Sequence, residues 1–252
     1  MNLKTENKIV KMEKQSFLED LREIKKGQKM PDGIFGSFMT RPVSHIVAYF
    51  FNKIHFTPNM VTFISFLFCL ASCLSLLLFR KSNTLYTAAA LIWWAGAILD
   101  AADGDLARYS QKASMFGAWF DSYLDRLKEF MVFGTLGYLS FKNYGLSNWG
   151  NIVEIEFENE FYLFLGFFSI LSNVMSGWVS DTKKIFSNGQ RKVEIKLSSK
   201  YMIGMVDTRD FFIISTLLLG EFRIALYVYG LVFPFVLMMQ TGLFLKNYGQ
   251  EK

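Results

Sequence analysis

Residues 91–126 read LIWWAGAILDAADGDLARYSQKASMFGAWFDSYLDR, and the fold turns on how the five aspartates in this stretch are housed. An apolar run from Leu85 to Leu99 ends directly in Asp100. After a short polar link from Tyr109 to Ser114, a second apolar run from Met115 to Phe141 carries acids in its first half. A helix needs about 20 predominantly apolar residues to cross the hydrocarbon of a bilayer. Ionisable groups at that depth are costly, because each must pair, coordinate an ion or face a water-filled cavity. Read as helices, the two runs are antiparallel neighbours. Asp100 and Asp103 then stand at i, i+3, and Asp121 and Asp125 at i, i+4, so each pair shares one face and the pairs converge near one end.

Working outward, four more stretches read as spans: Pro58 to Phe79, Phe161 to Val179, Phe211 to Leu219 with its flanks, and Arg223 to Leu245. This gives an all-α polytopic membrane protein with six transmembrane helices. Composition agrees. Of the 252 residues 52% are hydrophobic, 19% are charged, 27 are Phe and 4 are Pro, and the mean hydropathy is +0.24. A disordered or collagenous chain is excluded, since soluble domains carry about 25% charge and disordered ones more. Lys and Arg are split 21 against 4 between alternate loops, with Arg126 and Lys128 inside a span. By the positive-inside rule, both termini and the acid cluster are expected on the cytoplasmic side. The net charge of +5 then orients the chain and calls for no nucleic-acid partner. The loop 142–160, with Glu154, Glu156, Glu158 and Glu160, faces outward.

The expected organisation is a polar basic N-terminal extension over 1–32, an interfacial amphipathic helix over 33–57, the six-helix transmembrane domain over 58–245, and a C-terminal tail over 246–252. Residues 1–30 read as a solvated or surface-lying helix at most, with no early apolar core and so no cleavable signal peptide. Residues 34–55 are aromatic on one side and carry Arg41 and Lys53, a pattern suited to the cytoplasmic leaflet; a loosely ordered basic tail is the alternative. His45 and His55 have no partner at ligand spacing and read as interfacial. Cys69 and Cys73 lie one helical turn apart in an apolar run and read as small core residues.

Four carboxylates converging in a low-dielectric site repel and need cations to stay ionised. All-oxygen ligands favour a hard ion, Mg²⁺ or Mn²⁺. Four carboxylates suit two such ions, the arrangement that clamps attacking and leaving oxygens in phosphoryl transfer. Gly104 and Gly117 remove side chains where a phosphate or a facing helix must approach, and Arg108 presents a fork suited to phosphate oxygens. The competing structural explanation pairs the acids with Arg108 and Arg126, which leaves two of the four charges unmatched.

The pattern D-x-x-D-G-x-x-A-R-x8-G-x-x-x-D-x-x-x-D, written here by Asp100, Asp103, Gly104, Ala107, Arg108, Gly117, Asp121 and Asp125, resembles the signature of the CDP-alcohol phosphotransferase family at every position. Pro58-Asn59-Met60-Val61-Thr62 is similar to the segment opening that family's first span, and the likeness extends over roughly residues 33–245. The resemblance implies that Asp100 and Asp121 bridge two metal ions, that Asp103 completes the first site and that Asp125 completes the second. It makes Asp125 the general base on the acceptor hydroxyl. Gly104, Arg108 and Ser114 would hold the CDP portion, with Ala107 and Gly117 of the motif in the same substrate site and Asn59 and Thr62 closing over the nucleotide. A Thr at a helix start is also a plain cap or a back-bonding hydroxyl. Asp105 is expected to be solvated.

The implied activity moves a substituted phosphate from a CDP-alcohol to an alcohol or lipid acceptor, releasing CMP, in phospholipid or related phosphodiester biosynthesis. Membrane lipid and a second copy of the chain, as a homodimer, are the implied partners. Donor and acceptor stay open between CDP-diacylglycerol with a polar acceptor and a polar CDP-alcohol with a lipid or polyol acceptor. The DGDLAR and DSYLDR forms look more like prokaryotic members, including those making inositol phosphodiesters. The basic stretch Lys183, Lys184, Arg191, Lys192, Lys196 and Lys200, with Arg209, suits a phosphorylated acceptor or follows from topology alone. Gly177-Trp178-Val179-Ser180-Asp181 lacks the arginine expected there for such an acceptor. A membrane transporter, or an inactive scaffold with a divalent-cation site, is the alternative; it predicts scattered acids, an internal repeat or a lost aspartate, and none of these is visible.

Overall fold

A computed structural model describes residues 16–27, 36–79, 83–144, 158–189 and 205–249. Among these every regular element is helical: α1 over 16–26, α2 Arg41–Lys53, α3 Pro58–Leu78, α4 Asn83–Tyr109, α5 Met115–Phe141, α6 Asn159–Gly189, α7 Met205–Leu219, α8 Phe222–Tyr227 and α9 Phe233–Gly249. A π-helical turn, Gly36–Thr40, leads into α2, and another, Val228–Val232, joins α8 to α9 without a break. Pro42 sits in the first turn of α2, where its missing N–H and fixed φ cost nothing. α3 also opens on a proline, Pro58, capped by Thr57 Oγ1 accepting from Met60 N at 3.4 Å.

Helix ends recur in one form. His55, Gln111, Asn143 and Gly220 adopt φ of 61°, 56°, 53° and 68°, each just past a helix. At the end of α4, Lys112 N donates to Ala107 O at 2.9 Å and Gln111 N to Arg108 O at 3.2 Å. This paired closure satisfies the last carbonyls and reverses the chain. Ser114 then caps α5, its Oγ accepting from Gly117 N at 3.0 Å. The tight return makes α4 and α5 antiparallel neighbours, as the polar link implied.

Among the described residues, four helices are long and apolar enough to cross a membrane: Pro58–Leu78, Thr84–Tyr109, Asn159–Val179 and Phe222–Met239. The sequence count of six adds α5, whose first half carries Asp121, Asp125, Arg126, Lys128 and Glu129, and α7, which is 15 residues long. The main apolar core joins α3 to α8 around Tyr86, Phe133, Leu136, Tyr162, Leu217 and Phe222. Cys69 and Cys73 are free and buried in it, as expected of small core residues. Phe63, Phe130, Phe167, Trp178 and Phe235 point outward, an apolar surface that a bilayer covers.

Two close approaches fix the packing. α5 and α6 meet backbone to backbone, where a Cβ on Gly137 would lie 3.1 Å from Gly166 Cα. α3 and α4 meet at Gly96, where a Cβ would lie 2.8 Å from Cys69 Sγ.

The N-terminal elements cover the acid-bearing end of α4. α2 packs on α4 through Ala48, Ala102 and Leu106. α1 adds Phe17 edge-on to Tyr49 at 4.8 Å and Asp20, which accepts from the Tyr109 hydroxyl at 2.9 Å. Of the charges used above for orientation, Lys4, Lys8, Lys11, Lys14, Lys29, Arg80, Lys81, Glu154, Glu156, Arg191, Lys192, Lys196, Lys200 and Lys252 lie outside the described residues.

Candidate active site

Three of the four expected metal ligands come together. One carboxylate oxygen from each of Asp100, Asp103 and Asp121 lies within 4.8 Å of the others. Three negative charges at such spacing repel by roughly 3 kcal/mol per pair even at an effective dielectric near 20. Asp103 is 6% exposed, and its Oδ2 is buried with no hydrogen-bond partner. A buried carboxylate oxygen left unpartnered beside two further carboxylates is the donor set of a hard divalent cation. The residues therefore fit the ion the sequence implied.

Asp125 is arranged differently. It pairs with Lys128 Nζ at 2.8 Å, and the same ammonium bonds Asp100 Oδ1. Lys128 therefore bridges the two helices. The sequence reading placed Lys128 in a span without a role, although its i, i+3 spacing from Asp125 was the available signal.

Neither Arg108 nor Arg126 is shown pairing with the four acids. Arg108 Nη2 donates to Asp105 Oδ1 at 2.7 Å. Arg126 Nη1 lies 2.7 Å from both carboxylate oxygens of Glu129, which also bonds Arg209 of α7. Arg209 Nε lies 3.6 Å from Asp210, and Asp210 accepts from Trp93 Nε1 at 3.4 Å. This buried network ties α4, α5 and α7 together beside the acid cluster. Its links between helices, Glu129–Arg209 and Trp93–Asp210, join residues 80 and 117 positions apart, so helical periodicity alone does not show them.

Asp105 overturns its expectation. It is not solvated but 1% exposed, and it accepts from Arg41 Nη1 at 3.1 Å, Ser44 Oγ at 3.0 Å and Arg108 Nη2 at 2.7 Å. His45, expected at the interface, is instead buried with Nε2 3.6 Å from Asp105 Oδ2. The buried carboxylate needs this many donors, and α2 supplies most of them. Asp105 thereby holds α2 on α4 and anchors one edge of Arg108. Gly104 allows that edge to lie flat, because a Cβ there would stand 3.2 Å from Arg108 Nη1.

The remaining expected site residues lie on α3, α4 and the start of α5. Asn59, Ser114 and Gly117 converge, a Cβ on Gly117 meeting Asn59 Oδ1 at 3.0 Å and Ser114 Oγ at 3.1 Å. Thr62 Oγ1 donates to Pro58 O at 3.1 Å, the back-bonding hydroxyl foreseen as its alternative. Ala107 is half-buried on α4 between Leu106 and Arg108. Missed by the sequence reading is Ser65, fully buried, which donates to Gly96 O at 3.0 Å. An open apolar groove of about 360 Å³ is lined by Asn59, Met60, Phe63, Ile64, Phe116 and Phe120.

Comparison with known proteins agrees with the motif. The family model described as CDP-alcohol phosphatidyltransferase matches residues 55–189, from the turn after α2 to the end of α6. A bifunctional IPC transferase and DIPP synthase of Aquifex aeolicus is 34% identical over 109 residues, 42% of this chain and 23% of that protein. An archaetidylinositol phosphate synthase of Pyrococcus horikoshii is 42% identical over 73 residues, 29% of this chain and 36% of that protein. A bifunctional IPC transferase and DIPP synthase of Archaeoglobus fulgidus is 35% identical over 109 residues, 43% of this chain and 21% of that protein. The chain thus spans at most 36% of the length of these relatives.

Proposed function

The chain belongs to the CDP-alcohol phosphatidyltransferase family, and from that premise we propose that it transfers a substituted phosphate from a CDP-alcohol to an acceptor hydroxyl and releases CMP. The observation that carries the proposal is the Asp100, Asp103 and Asp121 triad on α4 and α5, with the unpartnered Asp103 Oδ2 beside it. An intact triad argues against an inactive scaffold. Its confinement to one helix pair argues against a transporter, whose charged groups line a path.

The triad would hold Mg²⁺ or Mn²⁺, which supplies charge stabilisation on the donor's pyrophosphate. Asp125 accepts the proton of the acceptor hydroxyl. That oxygen attacks the phosphorus bearing the alcohol, the P–O bond to CMP breaks, and a phosphodiester forms. Arg108, held flat over Gly104 by Asp105, presents its remaining donors to the nucleotide phosphates. Asn59, Ser114 and Gly117 border the nucleotide, with Ala107 and Thr62 behind them.

A lipid-linked substrate is supported by the apolar groove that Asn59 helps to line. A phosphorylated polyol acceptor is supported by the name of the Pyrococcus relative and by Arg126. A Cβ on Gly177 would stand 1.8 Å from Arg126 Cζ, so this part of α6 receives an arginine from α5. The missing arginine of α6 is thereby no objection. We further propose six spans, counting α5 and α7, with termini and site on the cytoplasmic side, and assembly as a homodimer.

The test is a panel of CDP-alcohol donors and acceptors with Mg²⁺ or Mn²⁺, read by CMP release and product mass. One donor–acceptor pair should yield a phosphodiester of the summed mass, and Asp121→Asn should abolish it. No CMP from any donor, with folded protein, would sink the proposal.

A further inference from the structure

Lys128 is a group the proposed reaction leaves without a task. It is 6% exposed, and an ammonium so buried persists only when paired. Both of its partners, Asp100 and Asp125, are residues that the family resemblance assigns to cation ligation. Asp125 lies 2.8 Å from the ammonium, while, among the described residues, the carboxylates grouped within 4.8 Å of one another are those of Asp100, Asp103 and Asp121. Arg108 and Arg126 are turned to Asp105 and Glu129. Lys128 is therefore the cation set directly between one triad member and the fourth acid.

Building on the triad reading, we infer that Lys128 is a built-in cation standing where a second metal ion would sit, so that the chain binds one divalent ion and not two. A second ion shared by Asp100 and Asp125 needs the space that Nζ occupies between them, 2.8 Å from Asp125 Oδ1. The charge balance fits. Four carboxylates, one ammonium and one divalent ion leave a single negative charge, and a second ion would reverse its sign. Lys128 acts on the reaction as a positioning residue, holding Asp125 at a fixed distance from the triad through Asp100.

Metal stoichiometry decides this without reference to turnover. The full-length protein in detergent is dialysed against Mn²⁺, with and without CDP. Bound metal is counted by elemental analysis, and electron paramagnetic resonance reports whether two ions lie ~3.5 to 4 Å apart, the spacing of two-metal sites. The parent should hold one ion per chain with an uncoupled spectrum, CDP or not. Asp125→Asn and Lys128→Arg should each remain at one. Lys128→Met, which leaves Asp100 and Asp125 without their cation, should take up two and show the coupled signal. Two ions in the parent, falling to one in Asp125→Asn, would overturn the inference even if Lys128→Met failed to fold. A folded Lys128→Met still at one ion would also overturn it. No manganese in the parent would instead refute the triad reading, and this inference with it.

Discussion

Removing Asp105 tests whether a buried carboxylate fastens α2 to the α4–α5 pair. In Asp105→Ala, Arg41, Ser44 and Arg108 lose a common acceptor at 3.1, 3.0 and 2.7 Å. Hydrogen bonds to a charged group contribute about 1.5 to 3 kcal/mol each. The Arg41 and Arg108 side chains are 18% and 29% exposed and recover part of that from water. The net cost is therefore about 3 kcal/mol, the low end for breaking a buried ion pair. For a chain of this size that lowers Tm by roughly 6 to 12 °C. Cys69 and Cys73 are buried and free, so a thiol-reactive fluorophore in detergent reports the unfolding directly. Asp105→Asn keeps an acceptor for Ser44 and should fall between. Arg108 would also lose its anchor, raising the donor KM more than it lowers kcat. A Tm within about 1 °C of the parent would refute the fastening role.

Gly137→Ala and Gly134→Ala form a pair. The first sets a Cβ 3.1 Å from Gly166 Cα, where neither backbone can yield, and should cost about 1 to 3 kcal/mol; the second meets Ile170 Cδ1 at 3.9 Å and should leave Tm unchanged in the same thiol assay. Gly177→Ala displaces the Arg126 guanidinium from Glu129, so Tm should fall and KM for a phosphorylated acceptor should rise roughly tenfold, the loss of one charge-assisted contact. Ser114→Ala removes the cap on Gly117 N and should cost about 1 kcal/mol, with a rise in donor KM if Ser114 also borders the nucleotide.

The α4–α5 pair was legible in the sequence because two apolar runs flank a short polar link, and the bounds of α5, Met115–Phe141, are those the hydropathy set. The acids were legible for the same reason, since charge at membrane depth stands out against an apolar background. What escaped were the long-range partners. Asp105 shares the spacing of a solvated helix residue, and only folding brings Arg41 and Ser44 to it across 64 and 61 positions. Glu129 and Arg209 met across 80 positions in the same way. Lys128 was readable at i, i+3 from Asp125, but its second partner, Asp100, sits on another helix.

The central claim, that the α4–α5 acids perform phosphoryl transfer, is tested most directly by CMP release in proteoliposomes from parent and Asp100→Asn protein, with and without chelator. The account predicts CMP from the parent only when Mg²⁺ or Mn²⁺ is present, and a loss of at least roughly a hundredfold in Asp100→Asn, the scale expected when charge stabilisation at the reacting phosphate is removed. CMP release that survives the chelator, or an equally active Asp100→Asn, would contradict it.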